Sequence, residues 1–156
     1  MGAASTKTIR ALTAADIKQA VAIEKACFFD AWNKNMWLDE LNNSLTTYLA
    51  LEEDGELIGY AGFWLVAQEA QITRVAVTEA KRGFGLGAQL TAALINKAWD
   101  LDARAITLEV RAGNVAAQKV YLTCGFASEG VRPRYYEDNH EDAVVMWLYK
   151  AGEEHA

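Results

Sequence analysis

The sequence predicts a mixed α+β domain in which an antiparallel meander is followed by a strand–helix–strand–helix–strand–strand series. Three observations lead there. Thr46 to Leu51, the turn Glu53-Asp54-Gly55-Glu56 and Leu57 to Val66 read as a hairpin, and Gln68 to Val77 extends it as a third antiparallel strand. Leu86, Leu90, Leu94 and Ala98 stand four apart, the stripe of an amphipathic helix. After that helix, strand-like and helix-like segments alternate to the end of the chain.

In chain order, Thr8 to Leu12 is a short strand, and Thr13 caps a helix from about Ala15 to Cys27. Ile17, Ala20, Val21 and Cys27 make its apolar stripe. Glu24 falls on the same stripe and is expected at the rim, reaching water. A second helix, about Asn33 to Asn42, carries Met36, Trp37 and Leu41. Past the meander, the helix with the four-spaced stripe runs from near Gly85 to about Leu101, and Ala105 to Val110 is the next strand. Asn114 caps a helix that runs to Cys124 and stops at Gly125. Phe126 to Val131 and Asp142 to Tyr149 are the last strands. Residues 1–151 are expected to form one domain, with 152–156 as a frayed tail.

A chain of 156 residues, 52% of them apolar, has enough material for one sizeable core. Its formal charge of −6 argues against general nucleic-acid binding and suits a basic or amine-bearing partner. No apolar run is long enough for a membrane span, and no signal-peptide pattern opens the chain, so a cytoplasmic protein is expected. Cys27 and Cys124 read as buried thiols rather than a disulfide. Asp138, His140 and Asp142 alternate along a loop but read as a solvated acidic turn, and no metal site is expected.

The chemistry begins at Arg82-Gly83-Phe84-Gly85-Leu86-Gly87, where a strand gives way to a helix. The first turn of a helix has free N–H groups and the positive end of the macrodipole, and glycine lets those amides approach a phosphate closely. Gly83, Gly85 and Ala88 satisfy G-x-G-x-x-[G/A], yet a dinucleotide fold wants that motif in its opening βαβ unit, and here some eighty residues precede it. A nucleoside-triphosphate loop needs Lys-Ser/Thr where this chain has Ala88-Gln89. A glycine-rich turn without a ligand is the plain alternative.

A second cluster follows. Ile106, Leu108 and Val110 share one face of their strand, and Thr107, Glu109 and Arg111 the other. A carboxylate in mid-strand is costly unless it is paired or used. An ion pair with Arg111 or Arg74 and a chemical role both remain open. Tyr121 lies seven positions after Asn114, on the same side of that helix, where an isolated tyrosine is usually core.

Taken together, these residues resemble a known family. Arg82, Gly85 and Gly87 match the R-x-x-G-x-G coenzyme A loop of the GCN5-related N-acetyltransferases (GNAT). Leu108-Glu109-Val110-Arg111-Ala112-Gly113-Asn114, with Ala116-Ala117, Tyr121 and Gly125-Phe126, resembles the L-E-V-R-x-x-N-x-x-A…Y…G-F stretch of the RimI family within it. Arg132-Pro133-Arg134-Tyr135-Tyr136 is similar to that family's R-x-x-Y-Y run, and Glu141-Asp142-Ala143 to its E-D-A. The resemblance covers nearly the whole chain. It departs at Ala31-Trp32-Asn33, where the family commonly has Pro-Trp-Ser/Thr beside the peptide site.

The resemblance implies the GNAT fold, a central, mostly antiparallel sheet of six to seven strands flanked by about four helices. It implies transfer of acetyl from acetyl-CoA to a protein N-terminal α-amine, the N-terminal alanine of a ribosomal protein. Val75, Ala76 and Val77 would present backbone groups to the acyl arm. Arg82, Gly83, Phe84, Gly85, Leu86, Gly87 and Ala88 would wrap the pyrophosphate, and Asn114 would contact the cofactor. Glu109 would be general base and Tyr121 general acid, with Trp32, Arg134, Tyr135 and Tyr136 on the substrate side. An acetyltransferase for another amine and a non-catalytic acyl-CoA-binding module are the alternatives. The chemistry is intelligible on its own terms, since only a neutral amine attacks a thioester and an α-amine has a reference pKa of about 8 against about 10.4 for lysine. No covalent enzyme intermediate is needed, so Cys124 reads as packing.

Overall fold

The structure, a computed structural model, describes residues 6–152. Residues 153–156 of the expected tail lie outside them. One seven-stranded sheet has the order β1-β2-β3-β4-β5-β7-β6. Its strands are β1 (Lys7–Ala11), β2 (Thr46–Glu53), β3 (Glu56–Val66), β4 (Glu69–Val77), β5 (Ala105–Arg111), β6 (Ala127–Arg132) and β7 (Ala143–Tyr149). The helices are α1 (Ile17–Cys27), α2 (Lys34–Asn42), α3 (Leu86–Asp100) and α4 (Val115–Thr123). Every strand pair is antiparallel except β4 with β5. The expected mixed fold is therefore found, with most boundaries within one or two residues.

One boundary differs. The first α-helix begins at Ile17, after a 3-10 turn over Ala14–Asp16. The cause is Asp16, whose carboxylate accepts the Thr13 N–H at 2.8 Å and grips the Arg10 guanidinium at 2.8 Å through both oxygens. That grip holds the Asp16 carboxyl below the usual carboxylate range.

The central strands are buried on both faces. Tyr48, Ala50 and Tyr60 join one cluster with Ile17, Ala20 and Ile23 of α1 and Trp37 of α2. Leu51, Ala61 and Phe63 join the other, with Leu86, Leu90, Leu94 and Ala98 of α3 and Tyr121 of α4. Thus α1 and α2 cover one side of the sheet and α3 and α4 the other.

Two places matter for the site. Gly62 in β3 leaves room for the Tyr48 ring, with which a Cβ there would collide. The Tyr48 hydroxyl then reaches Thr73 Oγ1 at 2.9 Å and donates to Glu40 at 2.6 Å. Gly62→Ala is expected to destabilise the protein by about 1–3 kcal/mol through overpacking, read as a fall in Tm. The second place is Gly83 and Gly85, at φ 86° and 77°, which bend the chain into the first turn of α3.

Candidate active site

The parallel junction is short. β4 and β5 pair only at Glu69–Ala105, Ala70–Ile106 and Gln71–Thr107. Against β3, the register of β4 slips between Ile72 and Arg74, which makes Thr73 an extra residue. Such a bulge bends its strand. Beyond it β4 pairs with β3 alone, and a cleft of about 1040 Å³ opens between the diverging strands.

Several expected residues meet there. Glu109, Asn114, Tyr121, Val75, Trp32, Tyr135 and Tyr136 all line this cleft. Glu109 points into it from β5, with Arg132 Nε 3.2 Å from Oε1 and Gln71 Nε2 donating to Oε2 at 3.4 Å. The carboxylate is therefore paired as well as available, and its partner is Arg132 rather than Arg111 or Arg74. Tyr121 is almost wholly buried, edge-on to Phe126 at 5.9 Å. Burial pushes its phenol up to about 12, so it stays protonated at neutral pH. No hydrogen bond engages its hydroxyl among the described residues.

Asn114 caps α4, its side-chain oxygen accepting the Ala117 N–H at 3.1 Å. Tyr135 and Tyr136 meet edge to face at 5.1 Å, and the Arg111 guanidinium lies 4.0 Å from the Tyr136 ring centre. Arg111 is also paired with Asp138 and Glu141, which fixes the loop between β6 and β7. Arg134 does not line the cleft. It adopts φ 53° and its N–H donates to Asp142 at 2.9 Å.

The glycine turn lies past the end of β4. A Cβ at Gly83, Gly85 or Gly87 would meet nothing within 4 Å, so each backbone faces open space. Leu86 is buried and anchors the turn, whereas Phe84 is exposed. Arg82 is exposed, with its Nε donating to the Val77 carbonyl at 3.1 Å and its Nη2 to Cys27 Sγ at 3.2 Å. It thereby ties the turn to the strand whose end carries Val75, Ala76 and Val77. The Cys124 thiol points at the Ala88 carbonyl at 3.9 Å, and burial pushes it up, as befits a packing group.

Two expectations need correction. Glu24 does not reach water. It is fully buried, with Oε1 accepting the Trp32 N–H at 2.9 Å, Oε2 accepting the Tyr60 hydroxyl at 2.6 Å, and Arg74 3.2 Å away. Three partners compensate its desolvation. Both cysteines are free, but they are half-buried rather than buried. Sequence reasoning also gave no site role to Arg74, Gln71, Asp30 and Phe28, which line the cleft. The available signal was a charged Arg74 inside the apolar run Ile72 to Val77.

The chain belongs to the acetyltransferase (GNAT) family, whose sequence model matches residues 17–126. It is 39% identical over 141 residues to a Bacillus subtilis protein provisionally named a [ribosomal protein bS18]-alanine N-acetyltransferase, covering 90% of this chain and 93% of that one. To the Haemophilus ducreyi [ribosomal protein bS18]-alanine N-acetyltransferase it is 34% identical, covering 90% and 99%. The crystal structure of the Escherichia coli ribosomal-protein-S18-alanine N-acetyltransferase superposes with a TM-score of 0.85 at 29% identity, covering 97% and 99%. The expected fold and RimI-type kinship are thus borne out. No helix among the described residues is long and apolar enough to cross a membrane.

Proposed function

We propose that the protein, as one catalytic domain of the cytoplasm, moves the acetyl group of acetyl-CoA to the α-amine of an N-terminal alanine. The acceptor is the ribosomal protein for which its relatives are named. The observation that carries this reading is that Glu109 and Tyr121 line one cleft, at the point where β4 and β5 part.

Acetyl-CoA fits the residues present. The edge of β4 from Val75 through Ala76 to Val77, unpaired with β5, offers backbone groups to an acyl arm, except the Val77 carbonyl that Arg82 holds. The turn Gly83 to Ala88 offers free amides and open space to a pyrophosphate, and Asn114 borders the same cleft. Bound there, the thioester supplies an activated acetyl group. Glu109 accepts the proton that the α-amine releases as the C–N bond forms, directly or through one water. A β4 backbone N–H stabilises the carbonyl oxygen as it gains charge. Tyr121 donates its proton to the departing sulfur as the C–S bond breaks, and its hydroxyl is free to do so. Trp32, Tyr135 and Tyr136 flank the acceptor, with Arg134 shaping the loop that carries the tyrosines.

The acidic loop Glu137, Asp138, Glu141 and Asp142 beside that pair favours a basic acceptor. An alanine-initiated basic peptide is expected to be acetylated on its α-amine, and an acidic one to be poorer. The kcat/KM for the basic peptide should fall as salt shortens the screening length from about 10 Å at 0.1 M to about 3 Å at 1 M. Thiol release and mass spectrometry of the product read both. Equal rates for the two peptides, or acetyl groups found only on lysine side chains, would refute the assignment.

A further inference from the structure

The segment joining α1 to α2 has no regular structure, yet Phe28, Asp30 and Trp32 from it form a wall of the cleft. What holds that wall comes from β4. Arg74 follows the extra residue Thr73, and its guanidinium lies 4.2 Å from the Phe28 ring centre and 4.4 Å from that of Trp32. Its Nη2 donates to the Asp30 carbonyl at 3.0 Å and to Asp30 Oδ1 at 3.3 Å, and pairs with buried Glu24 at 3.2 Å. The Arg74 side chain is 10% exposed, and that of Asp30 is 74% exposed. One planar cation therefore fastens the segment through two rings, a carbonyl and two carboxylates.

Asp30 is the outward end of this clamp. Arg74 engages only Oδ1, and no partner holds Oδ2 among the described residues. Asp30, Glu109 and Tyr135 all line this cleft. The two arginines that line the cleft, Arg74 and Arg111, are each already committed to carboxylates. A cationic acceptor thus finds an unsatisfied carboxylate oxygen, whereas among the described residues that line the cleft an anionic one finds only arginines already paired with carboxylates.

We infer that Arg74 is a positioning residue for the acceptor wall, and that Asp30 is a specificity-determining carboxylate which this wall presents to a cationic side chain near the acceptor's N-terminus. The inference rests on the acetyl-transfer reading above. It separates two roles along one chain of contacts. Asp30 discriminates between acceptors by charge, and Arg74 places the whole wall irrespective of acceptor charge.

Three alanine-initiated peptides, alike except for lysine, glutamine or glutamate at the second position, test it at saturating acetyl-CoA. Asp30→Asn is expected to raise KM for the lysine peptide about three- to fivefold, the scale of a partly exposed ion pair. It should leave the glutamine peptide, kcat and the acetyl-CoA Kd unchanged. Arg74→Gln is expected to raise KM for the lysine and glutamine peptides alike with the acetyl-CoA Kd unchanged, and Arg74→Lys to restore part of the loss. Arg74→Gln also leaves Glu24 without its cation, so its melting curve is recorded, and Asp30→Asn alone decides if that variant does not fold. The proposal is overturned if Asp30→Asn affects the lysine and glutamine peptides equally, or if KM, kcat and acetyl-CoA affinity move together in either variant. A wild type inactive on all three peptides would overturn the acetyl-transfer reading itself, and this proposal with it.

Discussion

Glu109→Gln is expected to lower kcat about 10²- to 10⁴-fold while the affinity for acetyl-CoA is kept. The substitution preserves shape and the Gln71 contact but removes the proton acceptor. It also loses the pair with Arg132, whose side chain is 58% exposed, so the effect on Tm should be small. Tyr121→Phe removes only the donor hydroxyl and should behave in the same way. Because burial holds Tyr121 near 12, its acid form persists well above neutrality. The rate should therefore rise with pH as the α-amine loses its proton around its reference pKa of about 8, with no downturn from Tyr121 until the pH nears 12. Steady-state kinetics between about pH 6 and 9 check the rising limb, with the thermal melt as the control. Near-normal turnover of Glu109→Gln across that range would make the carboxylate structural.

Gly87→Val is expected to weaken acetyl-CoA binding about 10- to 100-fold, the loss of one or two charge-assisted hydrogen bonds. Gly87 lies in the first turn of α3 at an ordinary φ, and a Cβ there would project into open space. The protein itself has no clash to suffer, and valine is a better helix residue than glycine, so Tm should hold or rise. Gly85→Val differs because Gly85 sits at φ 77°. It should weaken binding and also destabilise the fold by about 1–2 kcal/mol, the penalty for a side chain in the left-handed region. Calorimetric titration beside a melting curve separates the two. Undiminished affinity in both folded variants would remove the turn from the cofactor site.

What the sequence disclosed follows the range of the interactions involved. Helix α3 was legible because its burial is local, with Leu86, Leu90, Leu94 and Ala98 repeating along one face. The glycine turn and the Asn114 cap were legible because each acts on its own neighbours. Glu24 was not, because Trp32, Tyr60 and Arg74 reach it from 8, 36 and 50 positions away. Glu109 was half legible. A mid-strand carboxylate announced a need for a partner or a task, but choosing Arg132 over Arg111 and Arg74 required the pairing of β5, β7 and β6. On the α1–α2 wall the resemblance marked Trp32, but the clamp that holds the wall was not legible for the same reason, since Arg74 lies on β4.

The three-pair junction of β4 and β5 also bears on endurance. Four strands on one side and three on the other form two panels joined along a narrow seam, with α3 as the backing strip. Past the seam each panel has a raw margin, which a bound cosubstrate would stitch. Ligand affinity then becomes part of the resistance to unfolding. At a hundredfold excess over Kd the stitched form gains about 2.7 kcal/mol. The protein should accordingly resist proteolysis best where acetyl-CoA stands far above its Kd.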